Sequence, residues 1–185
     1  MLNYNPVIKK TMSFNDLSIK EIAPIMKLNI RGKKREFFTS VGKILNIILP
    51  TEANTSSSND KHTSIWLSPD EWMIHSNDII DNNSYELENS LYSNISKHNL
   101  GSVSDVTDQF VMINLEGDKI FELLSSGCPL NFEEFKKKKG STAQTLLNHI
   151  DITIHHKDTN NVNLFVRRSF AEHLWSWMHD CASRL

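Results

Sequence analysis

Met26, Leu28 and Ile30 alternate with polar residues, and so do Val111, Ile113 and Leu115. Alternation of this period marks a half-buried strand. A glycine, Gly32 or Gly117, ends each strand, and a helix is predicted after it, over 33–41 and 118–126. Asp118 falls in a first turn, where a carboxylate suits the helix dipole, and Gly127 with Pro129 supplies a stop. A hairpin follows in each half. In the first it is Ser64 to Leu67 and Trp72 to His75, turned at Pro69-Asp70. In the second, Ile150, Ile152 and Ile154 are answered by Val162, Leu164 and Val166 across the polar run KDTNN. Ser84 and Ser169 are the expected N-caps of the last helix of each half. A final strand is expected near 101–106.

The two halves match at an offset of about 85 residues. Asn29 pairs with Asn114, Gly32 with Gly117, Lys34 with Lys119, Ser40 with Ser125 and Gly42 with Gly127. The register is read as constant from one end of the unit to the other, which points to duplication. Strand–helix–strand–strand–helix resembles a split βαβ, ferredoxin-like unit. The expected fold is therefore α+β, with two such units and mostly antiparallel sheets. The expected layout is an extended arm over 1–22, a first unit over 23–107 and a second over 108–185, forming one compact body. The serine-rich run 51–61 reads as a flexible loop.

The C-terminal segment predicts a helix with one apolar stripe: Phe170, Leu174, Trp177, Met178 and Cys181. Trp175, Ala171 and Ala182 flank it and widen the apolar surface. Two readings stay open: a broad sheet covers it, or a partner does. Arg167, Arg168 and Trp175 are the candidate partner-interface residues, because arginine and tryptophan anchor interfaces.

Composition narrows the function classes. The chain has 185 residues and a formal charge of -2, so it carries no general attraction for nucleic acid or acidic membranes. Lys136 to Lys139 form a cationic run without interleaved aromatics, which reads as a solvated loop; a nucleic-acid module would rest on that run alone. Two cysteines in a chain this long fit a reducing compartment, and no apolar leader or membrane-length stretch is seen, so a soluble, cytoplasmic protein is expected. Cys128 reads as a small apolar residue at a helix stop, with no activating base nearby. His155 and His156 alternate across a strand, and His173 and His179 do not converge on a helix, so no metal site is expected. Neither a phosphate loop nor a dinucleotide-binding glycine motif occurs. No flavin, nicotinamide or metal is expected on this chain, and no catalytic residue is assigned to it.

Five stretches together resemble the gamma subunit of heterotetrameric sarcosine oxidase: APIMKLNIRG at 23–32, SIWLSPDEWMI at 64–74, VTDQFVMINLEGDKIFELLSSGCPLNFEEF at 106–135, AQTLLNHIDITIHH at 143–156 and LFVRRSFAEHLWSWMHDCA at 164–182. The resemblance implies an assembly with alpha, beta and delta subunits that oxidatively demethylates sarcosine to glycine, an oxidoreductase acting on CH-NH donors. It implies hydrogen peroxide as a product, with the one-carbon unit leaving as formaldehyde or as methylenetetrahydrofolate. FAD, FMN, NAD and the tetrahydrofolate site are then expected on the larger subunits. It further implies a fold similar to the glycine-cleavage T-proteins, folate-dependent aminomethyltransferases. The competing expectation is a stand-alone folate-binding one-carbon protein of that type. T-proteins carry paired aspartates after glycine near the first hairpin; here Asp70-Glu71 lies in the turn and lacks the preceding glycines.

Overall fold

A computed structural model describes residues 5–77 and 85–185. The chain divides into two compact units, one on Pro24–Thr107 and one on Asp108–Leu185 joined by the N-terminal segment up to Ala23. In the first unit β3 (Lys27–Gly32) leads to α1 (Arg35–Leu45), β4 (Ser56–Ser58), β5 (His62–Ser68) and β6 (Glu71–Ser76). Then come α2 (Tyr85–Leu91), a π-helical turn (Tyr92–Ser96) and β7 (Gly101–Asp105). The second unit begins with β1 (Met12–Phe14) and β2 (Leu17–Glu21). It resumes with β8 (Phe110–Glu116), α3 (Ile120–Ser125), α4 (Phe132–Phe135), β9 (Thr142–Leu147), β10 (Ile150–Asp158), β11 (Asn161–Arg167) and α5 (Arg168–Ala182).

The first sheet runs β4-β5-β6-β3-β7 and the second β1-β2-β8-β11-β10-β9. Every neighbouring pair is antiparallel. β5 lies parallel to β3 with β6 between them, and β10 lies parallel to β8 with β11 between them, as a split βαβ requires; β4 and β9 add an outer antiparallel strand to each. The expected α+β fold with two mostly antiparallel sheets is what the chain forms. The strand beside the central one differs in origin. In the first unit it is β7, from after the last helix; in the second it is β2, from before the first strand.

Each unit buries one helix-facing side of its sheet. In the first, Leu28, Ile30, Trp72 and Ile74 meet Phe37, Val41 and Leu45 of α1 and the buried Leu91 and Ile95. Fully burying side chains of this size contributes roughly 1.5–3 kcal/mol each. Trp72 is 1% exposed, and its indole N–H donates to the Pro50 carbonyl at 2.8 Å, so the polar end of the ring is satisfied. In the second unit Ile113, Leu115, Ile154 and Leu164 meet Leu123 and Leu124 of α3 and Leu174 and Met178 of α5.

Several expectations are corrected. Residues 12–21, expected within an extended arm, form a hairpin whose Leu17 and Ile19 enter the second core. The physical reason is that β2 pairs with β8 and satisfies the amides and carbonyls that edge would otherwise leave open. The serine-rich run is not wholly loop: Ser56 to Ser58 pair with Thr63 to Ile65. Asn59 braces it, accepting from the Lys61 and His62 amides and donating to the Leu45 carbonyl. The repeat offset is not constant. Leu28 faces Ile74 and Ile113 faces Leu164, so the offset grows from 85 (113 minus 28) to 90 (164 minus 74) at the hairpin. The connection in the second unit is longer, and it carries α4 and its buried Phe132 and Phe135. Ser169 is not an N-cap: α5 starts at Arg168, capped in position by Arg167 without a side-chain bond. Ser84 lies outside the described residues.

The two matched glycines have different reasons. At Gly32 a Cβ would lie 2.4 Å from the Phe37 ring, so glycine lets the helix close onto the strand. Gly117 has φ +128°, and a Cβ there would meet the Asp16 carbonyl oxygen at 2.0 Å, in the turn between β1 and β2. The N-terminal hairpin thus sits hard against the strand end it completes.

Candidate functional residues and family membership

The hairpin turn between β5 and β6 holds the most organised set of charges in the first unit. The Ser68 hydroxyl donates to the Asp70 carboxylate at 2.9 Å. Lys33 and Arg31 each approach that carboxylate to 3.5 Å. The serine hydrogen bond first, and the lysine and arginine charges after it, hold the Asp70 carboxyl below its usual range. Glu71 accepts from the Asn29 side-chain amide at 2.7 Å and lies 3.9 Å from Arg31. Both carboxylates of the Asp70-Glu71 pair are therefore engaged by neighbours of their own unit.

In the second unit the chemistry-bearing side chains are spread out. Cys128 is buried, with its sulfur 3.7 Å from the Thr145 hydroxyl. Cys181 is partly buried on α5, and burial, then Asp180, pushes its thiol up, away from the reactive thiolate form. His156 is buried between the Phe121 and Phe135 rings, with Nδ1 3.0 Å from the Lys138 carbonyl. His155 takes the opposite face of β10, across from Asn163. His173 and His179 are exposed on α5. Among the described residues no three His, Cys, Asp or Glu side chains gather as metal ligands would, and no helix is long and apolar enough to cross a membrane.

The lysine run is locally neutralised. Lys136 pairs with Glu133 at 2.7 Å, Lys137 with Glu134 at 2.6 Å and Lys139 with Asp158 at 2.7 Å. Sequence reading missed an asparagine cluster. The Asn114 side-chain amide, 4% exposed, donates to Asn161 at 2.9 Å and to Asn163 at 2.8 Å. Its signal was available: asparagines at the polar positions of two strands that otherwise alternate with buried aliphatics.

The apolar stripe of α5 is rotated from the expected one. Ala171, Leu174, Met178 and Ala182 are buried, Trp177 and Cys181 lie at its margin, and Phe170 is 47% exposed. The rotation follows from the short side chains of Ala171 and Ala182, which let the helix lie close on the sheet. Of the candidate interface residues, Arg167 is exposed at the end of β11. Arg168 is half-buried; its guanidinium donates to the Asn5 carbonyl and stands 4.0 Å from Asp108. Trp175, two helical turns along the same face, packs partly buried against the second core.

Two ferredoxin-like units, each an antiparallel sheet covered by helices, define a chain of the T-protein structural type. The glycine cleavage system aminomethyltransferase T from Bartonella henselae is similar over 88% of this chain and 45% of its own, with a TM-score of 0.62 and 14% identity. This chain thus spans less than half of that enzyme. The heterotetrameric sarcosine oxidase from Corynebacterium sp. U-96, solved in complex with pyrrole 2-carboxylate, is similar over 91% of this chain and 84% of its own. There the TM-score is 0.81 and the identity 20%. No curated protein matches the chain significantly. Residues 32–184 match the model of the sarcosine oxidase gamma subunit family, and the chain belongs to that family.

Proposed function

We propose that this chain is the non-catalytic gamma subunit of a heterotetrameric sarcosine oxidase, associating with alpha, beta and delta subunits. The complex would oxidatively demethylate sarcosine to glycine, forming hydrogen peroxide and either formaldehyde or methylenetetrahydrofolate. FAD, FMN, NAD and tetrahydrofolate are assigned in this reading to the larger subunits. The observation that carries it is the family match across residues 32–184, from the end of β3 to the end of α5.

The chain's own side chains support the non-catalytic part. A thiol needs an activating base, and Cys128 has only a threonine hydroxyl at 3.7 Å. A general base needs reach to a substrate proton, and His156 is buried between two phenylalanine rings. A folate site of T-protein type does not fit either, because Asp70 is already held by Ser68, Lys33 and Arg31. The contribution of the chain is then to bury surface on its partners and stabilise the folded assembly by mass action. Arg167, Arg168 and Trp175 remain proposed interface residues, with Arg167 the one whose side chain is exposed.

The test is reconstitution of the larger subunits with this chain carrying Cys128→Ala, His156→Asn or Asp70→Asn. Turnover per assembled complex is expected to stay within about twofold of the unsubstituted complex, because removing a true acid–base group costs on the order of 10²–10⁴. A fall of that size in a fully assembled complex would place chemistry on this chain.

A further inference from the structure

The two sheets differ by one strand, and the difference lies at equivalent edges. The amide of Ile22 donates to the Met112 carbonyl, so in β2 the even-numbered residues bond to β8. Leu17 and Ile19 then point their backbone groups outward, and β1 takes them: Phe14 faces Leu17 and Met12 faces Ile19. In the first unit the Val106 amide donates to the Lys27 carbonyl, at the same place in the pattern. Ser102 and Ser104 therefore bond to β3, and Gly101, Val103 and Asp105 turn their N–H and C=O groups outward. Among the described residues no strand pairs with that edge. Ser102, Ser104 and Asp105 are exposed.

We propose that the outer edge of β7, Gly101–Asp105, receives an extended segment of another subunit of the oxidase assembly as a sixth strand, as the edge of β2 receives β1. This rests on the gamma-subunit reading above. The twin edge within the same chain shows that the architecture accepts a strand there, antiparallel and with apolar residues at alternate positions, as in Met12-Ser13-Phe14. The π-helical turn packs on β7, and its Tyr92 is 49% exposed with Lys97 Nζ 5.9 Å above the ring. The far end of the edge is acidic. Glu88 and Asp105 lie close enough that Asp105 adds to the effect of burial in raising the Glu88 carboxyl. An incoming segment with a lysine or arginine near Asp105 is therefore favoured over an acidic one.

The test compares residue-resolved hydrogen exchange in the isolated chain and in the assembled complex. The amides of Gly101, Val103 and Asp105 are expected to slow by about 100-fold or more on assembly, whereas those of Ser102 and Ser104 are protected in both. A second arm uses Val103→Pro, which deletes an outward N–H without touching the bonds to β3, with Val103→Ala as its control. Proline is tolerated at such an edge position, so the expected result is at least a tenfold loss of partner capture relative to the alanine variant, about the effect of one blocked strand docking. Unchanged exchange at the three outward amides, or equal capture by the two variants, overturns the proposal. Protection already present in the isolated chain, together with a dimeric mass, assigns the edge to a second copy and also overturns it. If the unsubstituted chain captures no partner at all, it is the gamma-subunit reading that falls.

Discussion

Beside β3 in the first unit lies a strand drawn from downstream, β7; beside β8 in the second lies one drawn from upstream, β2. Position and direction are the same, and the covalent route is opposite. The sheet needs that place filled because a central strand with an open edge leaves its amides and carbonyls unpaired. It is indifferent to which end of the chain supplies the filling. The two solutions are not equally tight. Ile19 of β2 is 0% exposed and part of the second core, whereas its counterpart Val103 is only partly buried against the first. The borrowed strand is thus the better anchored, with the Ile8 amide donating to Glu21 at 2.6 Å and the Lys119 amide to the Asp16 carbonyl at 3.2 Å.

The largest expected effect comes from breaking the borrowed strand. Ile19→Asp places an unpaired charge in a dry core, which costs on the order of 5 kcal/mol or more and should unfold the second unit. Val103→Asp, at the half-buried twin position, should cost less than half of that, about 1–2 kcal/mol. Chemical denaturation followed by tryptophan fluorescence reads both. Near-equal losses would mean that the two edges are equally anchored, against the comparison drawn here.

A tryptophan pair sharpens the same contrast. Trp72→Ala removes a fully buried ring and its hydrogen bond and should cost about 3–5 kcal/mol. Trp177, at the margin of α5 and lying over Gly127, is partly exposed, so Trp177→Ala should cost roughly 1–2 kcal/mol. Gly117→Ala is next, at about 2–3 kcal/mol, from a strained positive φ and a clash with the Asp16 carbonyl. A melting temperature within a degree of the unsubstituted chain would show that the hairpin can retreat from the strand end.

The smallest effect is a pH signature at the β7 edge. Burial, then the Asp105 charge, raises the Glu88 carboxyl above its ordinary value of 4.5. A carboxyl raised in the folded state favours folding when protonated, so its contribution is lost as pH rises past that value. Glu88→Gln should therefore raise the melting temperature by about a degree at neutral pH and leave it unchanged well below pH 4.5. An equal shift at both pH values would remove ionisation as its cause.

How much of this was legible in the sequence follows from which interactions are local. The alternation in Leu28–Ile30, Ile113–Leu115 and Ile150–Ile154 located the central strands because apolar residues on the helix-facing side of each alternate with polar ones such as Asn29, Asn114 and Asp151; that Asn114 is itself buried was not legible from the alternation. The Pro69-Asp70 turn carried its own backbone chemistry. The destination of β2 was not legible: Leu17 and Ile19 alternate like any strand, but their partner β8 lies almost a hundred residues away, and nothing local specifies it. The rotation of α5 was missed because the alanines on its buried face add little to an apolar pattern, while Phe170 adds much and stays outside. The constant repeat offset failed where a connection lengthens, which pattern matching on either side of it does not register. For the candidate site, the lysine run read as solvated, and its glutamate partners three residues upstream were visible in the sequence; Asn114 with Asn161 and Asn163 required the sheet.

The account stands most directly on whether this chain works inside an assembly of unlike subunits. Native mass spectrometry of the complex recovered from its own cells through a tag on this chain measures that in one step. One copy of the chain together with three larger or different polypeptides, carrying sarcosine-dependent peroxide formation, is the predicted result. Recovery of the chain alone, or only with further copies of itself, from cells that oxidise sarcosine would contradict it.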